Sequence, residues 1–175
     1  RFPTFAGNHH AVEFMCDYLR MITLGSYAVH ELESLIDEEL ETHHQEKERV
    51  VAAIQSVADA TPALGIVAAV LGVIKTMGSI TQPPEVLGAL IGGALVGTFL
   101  GVFCAYGFFG PMAQALRNTN EAEAKYFLSM KAGLLAHVAG YAPVIAIEFA
   151  RKAVMSEDRP SFAEIDRATA DLKRA

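Results

Sequence analysis

Acidic side chains are missing where the chain is most apolar. No Asp, Glu or His lies between Thr61 and Pro84, or between Val86 and Leu116. A proton carrier within a membrane needs such a group. These stretches therefore cannot relay protons by their own side chains, and any carboxylate on an ion path has to come from a partner. Cysteine is as sparse: Cys16 and Cys104 stand far apart. That excludes a disulfide framework and fits a reducing compartment around Cys16. Basic residues form no stripe and the formal net charge is −6, which argues against nucleic acid as a partner. No nucleophile–base pair, P-loop or dinucleotide fingerprint occurs, so no enzyme is expected. Arg1 follows no initiator Met or signal-peptide pattern, and the chain reads as the later part of a longer one.

What is present is one apolar hairpin. Ala60–Ile80 carries a single charge, Lys75, and Val86–Leu116 carries none. A membrane helix needs roughly 20 mostly apolar residues to cross about 30 Å of hydrocarbon at about 1.5 Å per residue. Both arms are long enough, and the second has no polar face that would keep it in a soluble protein. Pro83-Pro84 suits the wet end of the hairpin, since proline stops the first helix yet is tolerated in the first turn of the second. Lys and Arg fall on both flanks, four in residues 1–58 and nine in residues 117–175, with none in the turn. The positive-inside tendency then places both ends in the cytoplasm. The expected organisation is an all-α chain: a cytoplasmic helical region over 1–58, a transmembrane hairpin over 59–116 with its turn near 78–85, and cytoplasmic helices over 117–175. Lipid is the expected surrounding of the hairpin.

Polar and small residues inside the hairpin are few enough to consider singly. Asp59 sits at the cytoplasmic mouth. Pro62 removes a helix bond to the Ala58 carbonyl, as a structural kink or as a hinge. Gly110-Pro111 mirrors it at the other arm. Thr98 either bonds its own helix carbonyl or faces a polar cavity. Gly88/Gly92, Gly93/Gly97 and Gly97/Gly101 form GxxxG steps, which let helices approach closely in lipid. Two arms cannot hide all of these glycines, so an oligomer or further helices are expected.

The flanks are amphipathic. His10–Leu24 repeats Val12, Met15, Cys16, Leu19 and Ile22 at helical spacing and ends at Gly25. A helix over Ser26–Gln45 has an apolar stripe of Val29, Leu32, Leu35, Ile36 and Leu40, and another helix starts at Lys47. The acidic face of the second helix is either solvated or an electrostatic docking surface. His9-His10 and His43-His44 are read as flexible surface histidines, since neighbours point about 100° apart on a helix; Glu39 and His43 could share a metal but lack a supporting motif. Over Asn118–Ala139 the periodicity puts Phe127, Leu128, Leu134 and Leu135 inward and Lys125 and Lys131 outward. Gly140-Tyr141-Ala142-Pro143 breaks that helix. Val144–Met155 carries a Glu148–Lys152 pair at i, i+4, and Ser161 with Glu164 forms a capping box.

Taken together, ADATPALGIVAAVLGVIKTMGS (58–79), PPEVLGALIGGALVGTFLGVFCAYGFFGPMA (83–113), GYAPVIAIEFARK (140–152), RPSFAEI (159–165) and LIDEELETH (35–43) resemble the MotA family of flagellar stator subunits. The wider group includes the ExbB and TolQ energisers, the alternative reading of function. The resemblance covers essentially the whole chain. It implies the third and fourth spans of a four-span inner-membrane subunit. It also implies a ring of five copies around two copies of a single-span, MotB-like subunit that brings the proton-carrying aspartate, and a push on the rotor protein FliG. Through it Pro62 and Pro111 become coupling prolines and Thr98 an ion-path threonine. Ala69 falls where sodium-driven relatives have a second threonine, which points to H⁺ as the transported ion with no cofactor. The family's principal rotor-contacting charges lie upstream of this chain, and Glu39 is the candidate here for a rotor-facing group.

Overall fold

The computed structural model describes residues 3–25 and 28–173, and every regular element among them is helical. In order these are α1 (Pro3–Ala6), α2 (His9–Leu24), α3 (Val29–Met77), α4 (Pro84–Cys104), a π-helical turn (Ala105–Phe109), α5 (Gly110–Val138), α6 (Pro143–Ala153) and α7 (Phe162–Lys173). Two compact units result: Gln45–Asn120, and a second built from residues up to His44 and from Glu121 onward. Helices α3 and α5 contribute to both.

In Gln45–Asn120 the antiparallel arms come from α3 and α4. Where separate helices were expected over Ser26–Gln45 and from Lys47, α3 is one element of 49 residues. Thr42 to Glu46 contains neither glycine nor proline, so nothing local stops it. Ser26 and Tyr27 lie outside the described residues. Pro83 is the N-cap of α4 and Pro84 its first residue. There the missing N–H of proline has no intrahelical partner to lose.

The second arm does not stop at Gly110-Pro111 but passes through it. The turn before Pro111 opens to a π turn, in which the Gly110 N–H donates to the Ala105 carbonyl five residues back. Proline in a regular helix clashes with the carbonyl four residues earlier, here that of Gly107, and a wide turn is one way to place it. The wide turn also absorbs one residue's worth of rotation, about 100°. Ala113 thereby returns to the face of Gly101 and Ala105, and all three are buried.

The second unit has an aqueous-type core of Ala11, Phe14, Tyr18, Leu32, Ile36, Phe127, Met130 and Leu134. The inward face of α2 is centred on Ala11, Phe14 and Tyr18, with Met15 and Ile22 of the expected stripe packed at its edge. Phe14 and Tyr18 are buried, while Cys16 and Leu19 are exposed. Both sets have helical spacing, and the aromatic pair wins because Phe14 packs edge-on against Phe127, with ring centres 5.2 Å apart. Lys131 points inward to α3, bonding Asp37 at 2.5 Å and approaching Glu33 at 3.8 Å. Helix α5 ends at a left-handed Gly140 (φ +86°). The Tyr141 N–H reaches the Ala136 carbonyl and the Gly140 N–H that of His137, a Schellman motif.

Glu148 pairs with Arg151 rather than Lys152. The guanidinium donates from Nε and Nη2 at 2.8 Å each and reaches the Pro160 carbonyl at 3.1 Å. The fork needs an i, i+3 partner, which also ties the following loop to α6. This bond holds the Glu148 carboxyl below the usual range. The capping box forms as expected: the Ser161 N–H and hydroxyl donate to Glu164, and the Glu164 N–H donates back to Ser161 at 3.3 Å.

Phe127 is 1% exposed and central to this core. Phe127→Ala is expected to cost about 3–5 kcal/mol, read as a lowered thermal or urea midpoint of the full-length protein. The Ser161 bonds lower the Glu164 pKa, so its contribution is present above the ordinary carboxylate pKa and fades as pH falls through the depressed one. Glu164→Gln is expected to increase amide exchange in the first turn of α7 at pH 7 but hardly at pH 3.

A glycine seam carrying the candidate ion-path threonine

The two arms meet through residues with almost no side chain. On α3 these are Thr61, Gly65, Ala68 and Gly72, and on α4 Ala94, Gly97 and Gly101. A Cβ at Gly65 would lie 2.9 Å from the Gly97 carbonyl oxygen and 3.2 Å from the Gly101 Cα. One at Gly101 would lie 2.9 Å from both the Gly65 Cα and the Thr61 oxygen, and one at Gly72 only 2.4 Å from the Ala94 Cβ. No larger residue fits without moving a backbone. Gly65 and Gly72 were not singled out in the sequence, although Thr61, Gly65, Ala68 and Gly72 recur at steps of 4, 3 and 4, the signal of a small-residue helix face. Of the expected GxxxG steps, Gly97/Gly101 forms the seam, whereas Gly88, Gly92 and Gly93 have nothing within 4 Å.

Thr98 sits beside this seam, half-buried, with its Cα 3.3 Å from the position of a Cβ on Gly65. Two other threonines of the hairpin helices bond their own helix: Thr61 to the Val57 carbonyl at 2.5 Å and Thr76 to that of Gly72 at 2.9 Å. The Thr98 hydroxyl makes no hydrogen bond among the described residues. The helix-bonded alternative for Thr98 is thus not the one adopted. Ala69 is half-buried on α3, next to Ala68, whose Cβ would lie 2.9 Å from a Cβ placed on Gly97.

Pro62 is half-buried within α3, which continues through it. It adjoins Thr61, whose carbonyl lies against Gly101, so Pro62 and Thr98 share one stretch of seam. Pro111 is exposed and follows the π turn. Asp59 is exposed and accepts a hydrogen bond from Gln55 at 2.8 Å. A second tie, Arg117 to Glu48 at 4.0 Å, links α5 to α3 in the same unit.

Glu39 belongs to the other unit and is engaged there. Its carboxylate accepts the Tyr18 hydroxyl, and burial together with this acceptor pushes the Tyr18 pKa upward. His43 does not join Glu39. Its ring lies tilted against that of His10 with centres 4.6 Å apart, packs beside Phe127 and approaches Glu123 at 3.8 Å. His43 is thus half-buried against Phe127, while His10 stays exposed beside it. Among the described residues no three His, Cys, Asp or Glu side chains converge as metal ligands.

Outside the seam the hairpin is apolar and uncovered. Leu64, Ile66, Leu71, Ile74, Leu95 and Phe99 are each more than half exposed. Helices α3 and the run Pro84–Val138 contain windows long and apolar enough to span a membrane, with 11% of each window buried. Such a surface needs lipid or further helices around it.

Known proteins share this architecture and sequence. The model of the MotA/TolQ/ExbB proton channel family matches residues 9–129. Motility protein A of Escherichia coli is 45% identical over 165 residues, 94% of this chain and 56% of its own length. A chain in the structure of the flagellar MotAB stator complex from Bacillus subtilis superposes with a TM-score of 0.72 at 26% identity, over 83% of this chain and 58% of its own. The Campylobacter jejuni MotAB structure gives 0.78 at 21% identity and shares the fold. The chain thus spans little more than half the length of the relatives it matches. With a continuous family match over most of its helices and a glycine-seamed apolar hairpin at their centre, this chain belongs to the MotA/TolQ/ExbB proton channel family.

Proposed function

We propose that the chain is the membrane hairpin and cytoplasmic helical part of a flagellar stator subunit, and that its hairpin lines a proton path whose carrier is a carboxylate on a MotB-like single-span partner. The observation that carries this reading is the unbonded Thr98 hydroxyl beside a seam with no titratable group. A hydroxyl not committed to its own helix can hydrogen-bond an ion, a water or a partner's carboxyl, and a passive scaffold has no use for one there. Identity of 45% to Motility protein A supports the motor over the energisers of the same family.

In the assembled motor about five copies surround two partner chains, with both ends of this chain in the cytoplasm. Protonation of the partner's carboxylate removes a charge next to Thr98 and Ala69. For unit charges 4 Å apart at an effective dielectric of about 20, that changes the local energy by about 4 kcal/mol, enough to bias a bistable packing. Pro62 and Pro111 interrupt the helix bonding of both arms, so the response concentrates there and passes to the cytoplasmic helices that push FliG. Ala69 offers no second hydroxyl, in keeping with H⁺ as the ion.

In the full-length protein expressed in its own host, Pro62→Ala is expected to abolish rotation of tethered cells at normal protein abundance. Thr98→Ala is expected to reduce cytoplasmic acidification on induction with the partner subunit at least tenfold, and Thr98→Ser to preserve it. Rotation speed is expected to be independent of external sodium. Normal torque in Pro62→Ala would remove the coupling role. Normal rotation after deletion of the gene would move the chain to the energiser class.

Seam and open glycines make separable predictions. Gly65→Val forces the arms apart, and overpacking of this kind costs about 1–3 kcal/mol. It is expected to lower the protease resistance of the solubilised protein. Gly92→Val should leave the hairpin intact and act, if at all, on assembly size.

A further inference from the structure

A cavity of about 690 Å³ opens between α3, α5 and α6 within the unit that excludes the hairpin. Its floor is apolar, with Leu128 and Leu135 from α5 and Phe149 from α6. The Tyr141 ring lies 5.4 Å from that of Phe149, and both are about half exposed. Lys125 and Lys152 line it as well, exposed, and neither forms an ion pair among the described residues. Lys131, also in the wall, is already compensated by Asp37 and Glu33. The cavity thus presents two exposed ammonium groups outside any close ion pair around an apolar floor, with Glu33 engaged by Lys131 in its wall, and its complement is an apolar knob flanked by two acids.

The chain carries that complement on α3. Glu31, Leu35 and Glu38 recur at i, i+4 and i+7 and fall within roughly 60° of one another at about 100° per residue. All three are exposed, Leu35 by 45%. Glu31 accepts the Ala28 N–H through one oxygen at 3.0 Å, which leaves the other for a further donor. The face lies roughly 130–170° around the helix from Glu33 and Asp37, which bond Lys131 in the cavity wall. It points away from its own cavity and can reach only that of another copy.

We infer that the Lys125/Lys152 cavity of one subunit receives the Glu31–Leu35–Glu38 face of α3 from the next. The contact joins two different surfaces of the same chain. It is head-to-tail, the form of interface from which a ring is built when the rotation closes. The charges set register and exclude like-charged pairings, and the apolar floor takes the leucine. Only the closure of the ring rests on the stator reading; the contact itself does not.

The test uses full-length protein with its partner subunit in native membranes, with Cys16→Ser and Cys104→Ser as background. Leu35→Cys combined with Phe149→Cys is expected to give a ladder of dimers and higher oligomers with a short bis-maleimide, and each single cysteine none. Glu38→Cys with Lys152→Cys replaces the pair if the first variant does not accumulate. Lys125→Glu with Lys152→Glu is expected to weaken the ladder about tenfold, and Glu31→Lys with Glu38→Lys in the same chain to restore it. A missing ladder in double-cysteine protein that still assembles with its partner and drives rotation overturns the contact and leaves the stator reading standing. A ladder unchanged by charge reversal overturns it too. A ladder in cells whose flagella turn normally without this gene supports the contact and removes the stator reading.

Discussion

The hairpin depends on how near two backbones come at Gly65 and Gly101. In lipid, apolar side chains gain little by leaving hydrocarbon for one another, so helix association rests on close van der Waals contact. The seam achieves that contact by removing side chains from both partners: peptide planes touch where leucines would hold the helices apart. The other features of the hairpin follow. The large residues are displaced to the outer faces, where lipid or neighbouring helices meet them. Thr98 is carried to the edge of a narrow, uncharged contact. Thr61, next to Pro62, has its carbonyl against Gly101, so the first proline stands at the closest point of the two arms.

The remaining helices obey different physics. Their core is built from interlocked aromatic and aliphatic side chains, and water supplies the driving force. Polar anchors then select among packings that hydrophobicity alone leaves equivalent. Tyr18 holds Glu39, Lys131 holds Asp37, and Arg151 clamps Glu148 and the Pro160 carbonyl. Each joins or orders elements that have no covalent reason to stay together. The chain thus combines a part that tolerates no side chains at its contact with a part that is defined by them.

This division explains what could be read in advance. A run of 31 residues without charge, Val86–Leu116, and a Pro-Pro turn are one-dimensional signals, and the hairpin follows from them. The capping box at Ser161 is equally local. The buried face of α2 is not: Val12, Met15 and Leu19 share helical spacing with Ala11, Phe14 and Tyr18, and only the position of Phe127 decides between them. Lys131 looks solvated until α3 is beside it, and Glu148 has two candidate cations until the loop after α6 selects the one that can fork. Thr98 could be named from its apolar surroundings, but whether its hydroxyl was free depended on which carbonyls the fold left within reach. The wide turn at Ala105–Phe109 has no signature beyond the proline that follows it.

That wide turn bears on how the chain compares with others. Five residues there cover an angle that four would cover in a regular helix, so the stretch behaves as an insertion already accommodated. Losing one of them would shorten the helix by about 1.5 Å and leave Ala113 on the same side as Gly101. Adding one elsewhere in the arm would swing every later residue by about 100°. A relative of this chain with a single-residue gap at this point would keep the same buried face, whereas a gap a few positions away would turn that face outward. Length in this arm is therefore negotiable at one place only, and that place lies immediately before the second proline.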